Sequence, residues 1–365
     1  MAGVCVVGSC NFDQKLLLPL TVFLLQTVYV QDIPAPGQTV HGSSYVTGFG
    51  GKGANQCVMA AKLGSSATMI SALGDDAIAS MTRENLRRSN VSLDHMYVKE
   101  GVSSGVAQIT VSSKSGENCI VIVPGANLCL EPEDVERAAE VRSSGQRDGA
   151  DGFLRSLVEQ AISSCKVLLC QNEISPATTY TAMRIARGSK SPPLVILNAA
   201  PAPRVGTNWR EGEWRDFKEM LSMCDVLCVN ESEAREMSKL QVEGEDESSL
   251  MDSIKRASLT LMELGASQIL FTLGERGSCL VRPGDGDTRE VKVHRVPAGQ
   301  QRVQVVDTSG AGDAYLGALA SHVAAGKSME QAMEAAGEIA TITVQSKGTQ
   351  NSYPSADSLP PHLRP

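Results

Sequence analysis

The sequence predicts an α/β protein, in which a parallel sheet is covered by helices on both faces and a few short hairpins are added. From about residue 130 onward, short apolar runs alternate with helical stretches, as they do around strands buried on both faces. Each of these apolar runs ends in polar or glycine residues. Two stretches, 39–49 and 96–123, consist of short runs rich in β-branched residues with no helical pattern, and they predict hairpins.

The individual elements follow in chain order. Val4–Ser9 is an apolar run that ends at a glycine, so it predicts a buried strand. Helix, strand and helix are then predicted at Gly53–Gly64, Ala67–Gly74 and Asp76–Ser89, and a further helix at 131–141. The later strands are predicted at Lys166–Glu173, Pro193–Pro201, Cys224–Glu233 and Ser267–Gly277. Ligands of parallel sheets bind beyond the carboxyl ends of the strands, so the polar ends of these strands predict one ligand-binding rim.

Composition limits the function. The chain has 365 residues, of which 42% are hydrophobic, and its net charge is -8. An acidic chain without basic runs argues against nucleic acid and against anionic membranes as partners. Ten cysteines occur without a CxxC pair and five histidines without HExxH, which favours reduced thiols in the cytoplasm over disulfides or structural zinc.

An apolar segment near the start, Leu16–Gln26, could suggest membrane insertion. It is too short to span a bilayer, and Pro19 interrupts it. A signal peptide would have several positive charges before the apolar run, and here only Lys15 precedes it closely. We therefore expect neither secretion nor a membrane anchor.

The first glycine-rich stretch is GFGGKGANQ, Gly48–Gln56. It contains G-x-G-x-x-G, which matches the dinucleotide-binding pattern by letter. The segment before it is polar, whereas that pattern requires a buried strand running into the glycines. Its glycines would allow the backbone to approach a polar ligand closely, or would simply form a tight turn before a helix.

The second stretch is Gly-Ala-Gly-Asp, Gly310 to Asp313, followed by an apolar run. A helix that begins there has unpaired N–H groups that can hold an anion. A carboxylate at that place fits a base that removes a proton beside a developing negative charge. The alternative is that Asp313 only interacts favourably with the helix dipole. No GxxxxGK[ST] occurs, so the chain is not a P-loop protein.

Six stretches occur in an order that resembles the ribokinase family of sugar kinases, over nearly the whole chain. They are GSCNFD (Gly8–Asp13), GFGGKGANQ, CVNESE (Cys228–Glu233), FTLGERG (Phe271–Gly277), DTSGAGDAYLGAL (Asp307–Leu319) and SKGTQNSYP (Ser346–Pro354). The resemblance implies a ribokinase-like fold, with a parallel-sheet, three-layer α/β/α core and a small β-sheet lid. It implies one kinase domain over 1–353, lid strands at about 28–50 and 96–123, a homodimer formed through the lid, and an irregular tail over 354–365.

The activity that the resemblance implies is ATP-dependent phosphorylation of D-ribose at its 5-hydroxyl, which gives D-ribose 5-phosphate. Asp313 would be the general base, and Gly310, Ala311 and Gly312 would form the anion hole. Mg²⁺ would accompany ATP, and K⁺ would act as a monovalent activator. We expect a cytoplasmic location and leave the nucleus open as a second one.

The binding residues are likewise implied by the resemblance. For the sugar they are Asn11, Phe12, Asp13, Gly51, Lys52, Gly53, Ala54, Asn55, Glu173 and Asp313. For ATP they are Asn230, Thr272, Leu273, Gly274, Glu275, Arg276, Gly277, Gly312, Asp313 and Gly337. The monovalent cation would be held by Asp307, Ser309, Thr343, Ser346, Gly348 and Ser352, and Glu233 would hold magnesium through water.

Two features depart from the family's pattern. Residues 14–27 make the connection before the lid longer than in the family and apolar, so we expect an apolar insertion that could displace the sugar site. Gly337 stands where relatives often carry Asn or His near the nucleotide.

Three alternatives remain open. The first is another sugar or nucleoside kinase of the family. The second is a sugar-binding protein that the insertion has impaired as a catalyst. The third is a dinucleotide-dependent oxidoreductase.

Overall fold

The computed structural model describes residues 15–19, 23–115, 117–136, 157–203, 213–284, 290–297 and 303–365. The strands are β1 Lys15–Pro19, β2 Phe23–Val30, β3 Gly42–Gly50, β4 Ser66–Gly74, β5 Ser92–Lys99, β6 Val106–Ser112, β7 Asn118–Val123, β8 Val167–Gln171, β9 Leu194–Asn198, β10 Val226–Asn230, β11 Ile269–Thr272, β12 Ser278–Pro283 and β13 Val291–Val296. The helices are α1 Lys52–Lys62, α2 Ala77–Arg88, α3 Pro132–Glu136, α4 Leu157–Ser164, α5 Pro176–Arg187, α6 Glu213–Met223, α7 Glu231–Ser238, α8 Glu247–Glu263, α9 Ala311–Ala324 and α10 Met329–Thr343.

The larger sheet contains nine of these strands in the order β13-β12-β11-β10-β9-β8-β1-β4-β5. The strands from β11 to β5 in this order run parallel, and β12 and β13 are antiparallel additions at one edge. Because the described residues of the inner strands are apolar and buried on both faces, helices must cover both sides.

Two clusters of buried side chains lie on the two faces of the larger sheet. One contains residues of α1, α9 and α10, such as Met59, Leu316 and Met333. The other contains residues of α5 and α8, such as Met183 and Ile254. Neighbouring residues of one strand go to opposite clusters, as the alternation of a strand requires. The predicted three-layer α/β/α core is confirmed.

The smaller sheet has the strand order β3-β2-β6-β7. The β2–β6 pair is parallel, and the β2–β3 and β6–β7 pairs are antiparallel. The expected lid range of 96–123 began too early, because β5 pairs with β4 in the larger sheet. The chain leaves the larger sheet only after β5, at Ser104, whose N–H and hydroxyl both donate to the Asp76 carboxylate.

The described residues of the expected apolar insertion at 14–27 form strands. Lys15–Pro19 forms β1, a central strand between β4 and β8, and Phe23–Val30 forms β2 of the smaller sheet. A central parallel strand is buried on both faces, so its sequence is a continuous apolar run. The strand predicted at Val4–Ser9 lies outside the described residues.

The C-terminal segment after Tyr353 has only two short 3₁₀ turns, yet it is part of the core. Leu359 and Leu363 are buried among the side chains of the cluster that contains α9 and α10. Among the described helices, none combines the length and the apolar character needed to cross a membrane.

Candidate active site

The helix α9 begins in a conformation that requires glycine. Gly310 has a φ of 74°, and a Cβ at this position would lie 2.7 Å from the Tyr353 hydroxyl oxygen. That hydroxyl donates to the Gly310 carbonyl oxygen at 2.9 Å. The glycine therefore lets the chain turn into the helix directly against Tyr353.

The first N–H groups of α9 lie where the sequence predicts an anion hole. The Ala311 N–H donates to the Thr308 carbonyl oxygen at 3.2 Å, so it is already engaged. Helix geometry leaves the next N–H groups, those of Gly312 and Asp313, to an external acceptor. Of the residues predicted for the anion hole, Ala311 therefore has its N–H engaged, and Gly312 has its N–H directed to an external acceptor.

Asp313 lies in the first turn of α9, and only 7% of its surface is exposed. Its two carboxylate oxygens accept hydrogen bonds from consecutive residues of α1. The Asn55 amide donates to Oδ2 at 2.8 Å, and the Gln56 amide donates to Oδ1 at 3.0 Å. The predicted base is therefore buried, and its oxygens are held in fixed positions.

A close approach of α1 to α9 makes these two hydrogen bonds geometrically feasible. A Cβ on Gly317 would lie 2.4 Å from the Gln56 carbonyl oxygen and 2.7 Å from the Met59 Cβ. Gly317 lies one turn after Asp313 on α9, so the contact fixes α1 beside the carboxylate. No larger residue fits at Gly317 without a shift of the two helices.

The glycines before α1 place Lys52 among carboxylates. Gly51 has a φ of 93°, and the Lys52 backbone N–H donates to the Glu173 carboxylate at 2.9 Å. Burial alone would lower the pKa of the Lys52 ammonium, yet its pKa is raised because three carboxylates act on it. These are Asp313, Glu173 and Glu233.

Asn230 and Glu233 form a capping box at the start of α7. The Asn230 side chain accepts from the Glu233 N–H at 2.8 Å, and the Glu233 carboxylate accepts from the Asn230 N–H at 2.9 Å. Burial raises the pKa of Glu233, and the negative charge of Asp313 adds to the rise. This carboxylate therefore stands in a site where further positive charge would be favourable.

A cavity of about 1160 Å³ opens beside the start of α9. Seven of the predicted ATP residues line it, namely Asn230, Thr272, Gly274, Glu275, Gly277, Gly312 and Gly337. Leu273 is instead buried in the core, and Arg276 pairs with Glu231. The sequence missed the apolar wall, which includes Val242, Val296, Val303, Val305, Ala340 and Val344. Scattered single valines and alanines give no motif, so no sequence signal identified this wall.

The residues predicted to hold a monovalent cation lie in the loop before α9, at the end of α10 and in the loop after α10. The Asp307 carboxylate accepts from the Ser309 N–H at 2.9 Å and from the Gly348 N–H at 2.8 Å. Thr343, Ser346 and Ser352 make their described hydrogen bonds within their own segment, to Ala340, Thr343 and Thr349. The structure thus brings Asp307, Ser309 and Gly348 together.

The remaining predicted sugar residues divide into two groups. Gly51, Lys52, Gly53, Ala54 and Asn55 form the start of α1 beside Glu173 and Asp313. Asn11, Phe12 and Asp13 lie outside the described residues. The sequence analysis missed Gln56 and Gln350 as contributors to the site, although both stand inside quoted motifs.

Comparisons with known proteins agree with this arrangement. The sequence profile described as "pfkB family carbohydrate kinase" matches residues 1–356. A ribokinase of Mus musculus is 34% identical over 362 residues, which cover 98% of this chain and 94% of the relative. A deoxyribokinase of Salmonella typhi is also 34% identical, over 92% of this chain and 94% of the relative.

Solved structures give the same result for the fold. The structure of Arabidopsis thaliana ribokinase complexed with ribose and ATP matches with a TM-score of 0.76 and 25% identity, over 97% of this chain and 99% of that one. The ribokinase-like fold is therefore confirmed. With a profile match over nearly its whole length and close relatives over almost all of it, this chain belongs to the pfkB family of carbohydrate kinases.

Proposed function

We propose that this chain transfers the γ-phosphoryl group of ATP to the 5-hydroxyl of D-ribose and forms D-ribose 5-phosphate. The observation that carries the proposal is the buried Asp313 carboxylate, which follows the cavity-lining Gly312 in the first turn of α9. The ribokinase relatives and the structural neighbour that was solved with ribose and ATP support the choice of substrates.

In this mechanism, Asp313 takes the proton of the 5-hydroxyl while the hydroxyl oxygen bonds to the γ-phosphorus. The bond from that phosphorus to its bridging oxygen breaks, and ADP leaves with the electron pair. The N–H groups of Gly312 and Asp313 hold the charge that develops on the transferring group. Lys52 supplies positive charge beside the reacting groups, as its raised pKa indicates.

The sugar would bind at the start of α1, between Glu173 and Asp313. Within the described residues, the Asn55 amide uses one of its two hydrogens on Asp313, so the other is available to a ligand. Glu173, Lys52 and Asn55 would bind the sugar hydroxyls, together with Asn11 and Asp13. The nucleotide would lie in the 1160 Å³ cavity, with its base against the valine wall.

The proposed reaction uses two cations, Mg²⁺ and K⁺. Mg²⁺ supplies charge neutralisation on the phosphates, and the buried Glu233 is the carboxylate suited to hold it through water. K⁺ would be held by carbonyl oxygens of the two loops that Asp307 joins. Tyr353 directly follows the loop at residues 346–352, and its hydroxyl donates to the Gly310 carbonyl oxygen at the start of α9. A cation in this loop would therefore add positive charge near the predicted anion hole.

We further propose a homodimer formed through the smaller sheet, and a cytoplasmic location with the nucleus as a second one. Tyr45, Val46 and the run from Ile120 to Val123 are exposed on the smaller sheet, at 48% or more each. Apolar surface of this kind is typical of an interface between proteins. Sedimentation equilibrium of the chain checks this, and a monomer at micromolar concentration would contradict it.

The test of the function is ATP consumption in a coupled assay with Mg²⁺ and K⁺, across ribose, 2-deoxyribose, fructose and adenosine. We expect the highest kcat/KM with ribose and a product phosphorylated at the 5-hydroxyl. The Salmonella relative named for deoxyribose makes 2-deoxyribose the second candidate substrate. Ribose binding by calorimetry without turnover would instead indicate a sugar-binding protein, and NAD(H) binding would indicate an oxidoreductase.

Asp313→Asn is the matched variant for this assay. It keeps the size and a hydrogen-bonding side chain but removes the base, so we expect kcat to fall by at least about a hundredfold. Circular dichroism and thermal unfolding confirm that the variant is folded. Near-normal turnover in a folded Asp313→Asn protein would refute the assignment of the base.

A further inference from the structure

Two chains of side-chain amides end on the two oxygens of Asp313. In the first, Gln171 donates to the Gln56 side-chain oxygen at 2.7 Å, and Gln56 donates to Asp313 Oδ1. In the second, Gln350 donates to the Asn55 side-chain oxygen at 3.0 Å, and Asn55 donates to Asp313 Oδ2. The carboxylate is therefore held from two sides by amides that are themselves held.

All of these amides point in the same sense, toward Asp313. An ionised carboxylate only accepts hydrogen bonds, so the amide that faces it must present its NH₂ group. The oxygen of that amide then points away, and the next amide must in turn present its own NH₂ group to it. The charge on Asp313 thus fixes the orientation of Gln56, and Gln171 holds it in that orientation.

Burial makes the orientation strict. Gln56 is fully buried, and Gln171 is 2% exposed, so neither amide can exchange its partner for bulk water. A reversed amide would place two acceptors or two donors against each other in the protein interior, which is costly. Gln171 stands at the carboxyl end of β8, on a rigid element of the larger sheet.

We propose that Gln171 is a positioning residue for phosphoryl transfer, which acts on Asp313 only through Gln56. Gln171 sets the direction of the Gln56 amide, and this amide, together with Asn55, fixes the rotation of the carboxylate. The same lone pair of the Asp313 carboxylate then always faces the sugar hydroxyl. The reacting atoms are aligned only with the carboxylate in this orientation. The proposal rests on the function proposed above for Asp313.

The test is Gln171→Glu, which exchanges the NH₂ donor for an acceptor of nearly the same shape. When the new carboxyl group is ionised, the Gln56 amide must turn its NH₂ toward position 171 and its oxygen toward Asp313, which leaves two acceptors in contact. A protonated carboxyl group would instead donate to the Gln56 oxygen and leave the chain unchanged, so kcat is measured from about pH 6 to about pH 9. We expect kcat to fall by about tenfold or more, while KM for sugar and for ATP changes by less than about threefold. Gln171→Met is the control, because it removes the donor without reversing Gln56, and it should lower kcat distinctly less.

A second measurement does not need activity. In the Gln171→Glu protein, Asp313→Asn supplies an NH₂ group that can donate to the reversed Gln56 oxygen. The melting temperature of the double variant should therefore exceed the value expected from adding the two single shifts. A structural role of Gln171 unconnected with Asp313 would give additive shifts.

The melting shifts and the kinetics together separate the proposal for Gln171 from the proposed function. Additive melting shifts, or a folded Gln171→Glu protein with normal kcat across the whole pH range measured, overturn the proposal. If the variants show non-additive shifts but the wild-type protein phosphorylates none of the sugars, the amide chain is confirmed and the proposed function is refuted. Non-additive shifts together with a selective loss of kcat support both.

Discussion

Gly317→Ala tests whether the close approach of α1 and α9 sets up the catalytic carboxylate. The new Cβ would lie 2.4 Å from the Gln56 carbonyl oxygen, whereas ordinary contacts begin near 3.4 Å. The backbone of α1 must therefore retreat from α9 by about 1 Å. If the side chains move with it, the Asn55–Asp313 hydrogen bond lengthens from 2.8 Å to about 3.8 Å, which is no longer a hydrogen bond.

Two losses follow from this displacement. Overpacking of a core typically costs about 1–3 kcal/mol of unfolding free energy. A base displaced by about 1 Å can lose about a hundredfold in kcat. Both are measurable, the first by urea unfolding and the second by the coupled assay at saturating ribose and ATP.

The matched control for stability is Gly337→Ala. Gly337 is also a helical glycine, in α10, but no atom lies within 4 Å of the Cβ that it would gain. Alanine favours a helix over glycine by about 1 kcal/mol, so this variant should be more stable than the wild type. A Gly317→Ala protein with wild-type stability and kcat would refute the argument that α1 must pack this closely.

Two further predictions concern other parts of the chain. Gly310→Ala should lower the unfolding free energy by about 1–2 kcal/mol and greatly reduce kcat, because φ is 74° and the new Cβ would lie 2.7 Å from the Tyr353 hydroxyl; unchanged thermal unfolding would contradict this. The hydrogen bond from Arg282 lowers the pKa of Glu330 from 4.5 to about 2. The ionised carboxylate therefore stabilises the fold fully above pH 4.5, and this stabilisation is lost as the pH falls toward 2. Glu330→Gln should therefore cost about 1 kcal/mol or less at neutral pH, since the pair is about a third exposed, and nothing near pH 2, as urea unfolding at both pH values would show.

Strands of the parallel sheet were predictable because burial on both faces leaves a continuous apolar run. β8 and β10 lie within their predicted ranges for this reason. The same rule also applies to β1, whose apolar run the sequence analysis assigned to an insertion. The pairing of β1 with β4 and β8, which lie far away in sequence, identifies it as a strand.

β5 was assigned to the wrong sheet for a related reason. Its alternating residues fit a half-buried strand in either sheet, and a pattern does not name the partner strand. The partner is fixed by tertiary contacts, such as those between Ser104 and Asp76.

The site could be predicted where residue type and helix geometry determine the chemistry. The glycines before Asp313 and the carboxylate itself follow from the N-terminus of a helix. The hydrogen bonds that link these amides to one another could not be predicted, because Gln171 lies 115 residues from Gln56 and Gln350 lies 295 residues from Asn55. A single sequence does not reveal contacts over such distances.

The segment that runs from Thr349 to Tyr353 has a consequence for biosynthesis. Thr349 donates to the Phe49 carbonyl oxygen, Gln350 donates to Asn55, and Tyr353 donates to Gly310. The first two of these contacts join residues 300 and 295 positions apart, so they form only after residues 349 and 350 have been synthesised. Until then the growing polypeptide on the ribosome has no complete site, and we expect the enzyme to become active only after residues 349–353 have emerged and docked.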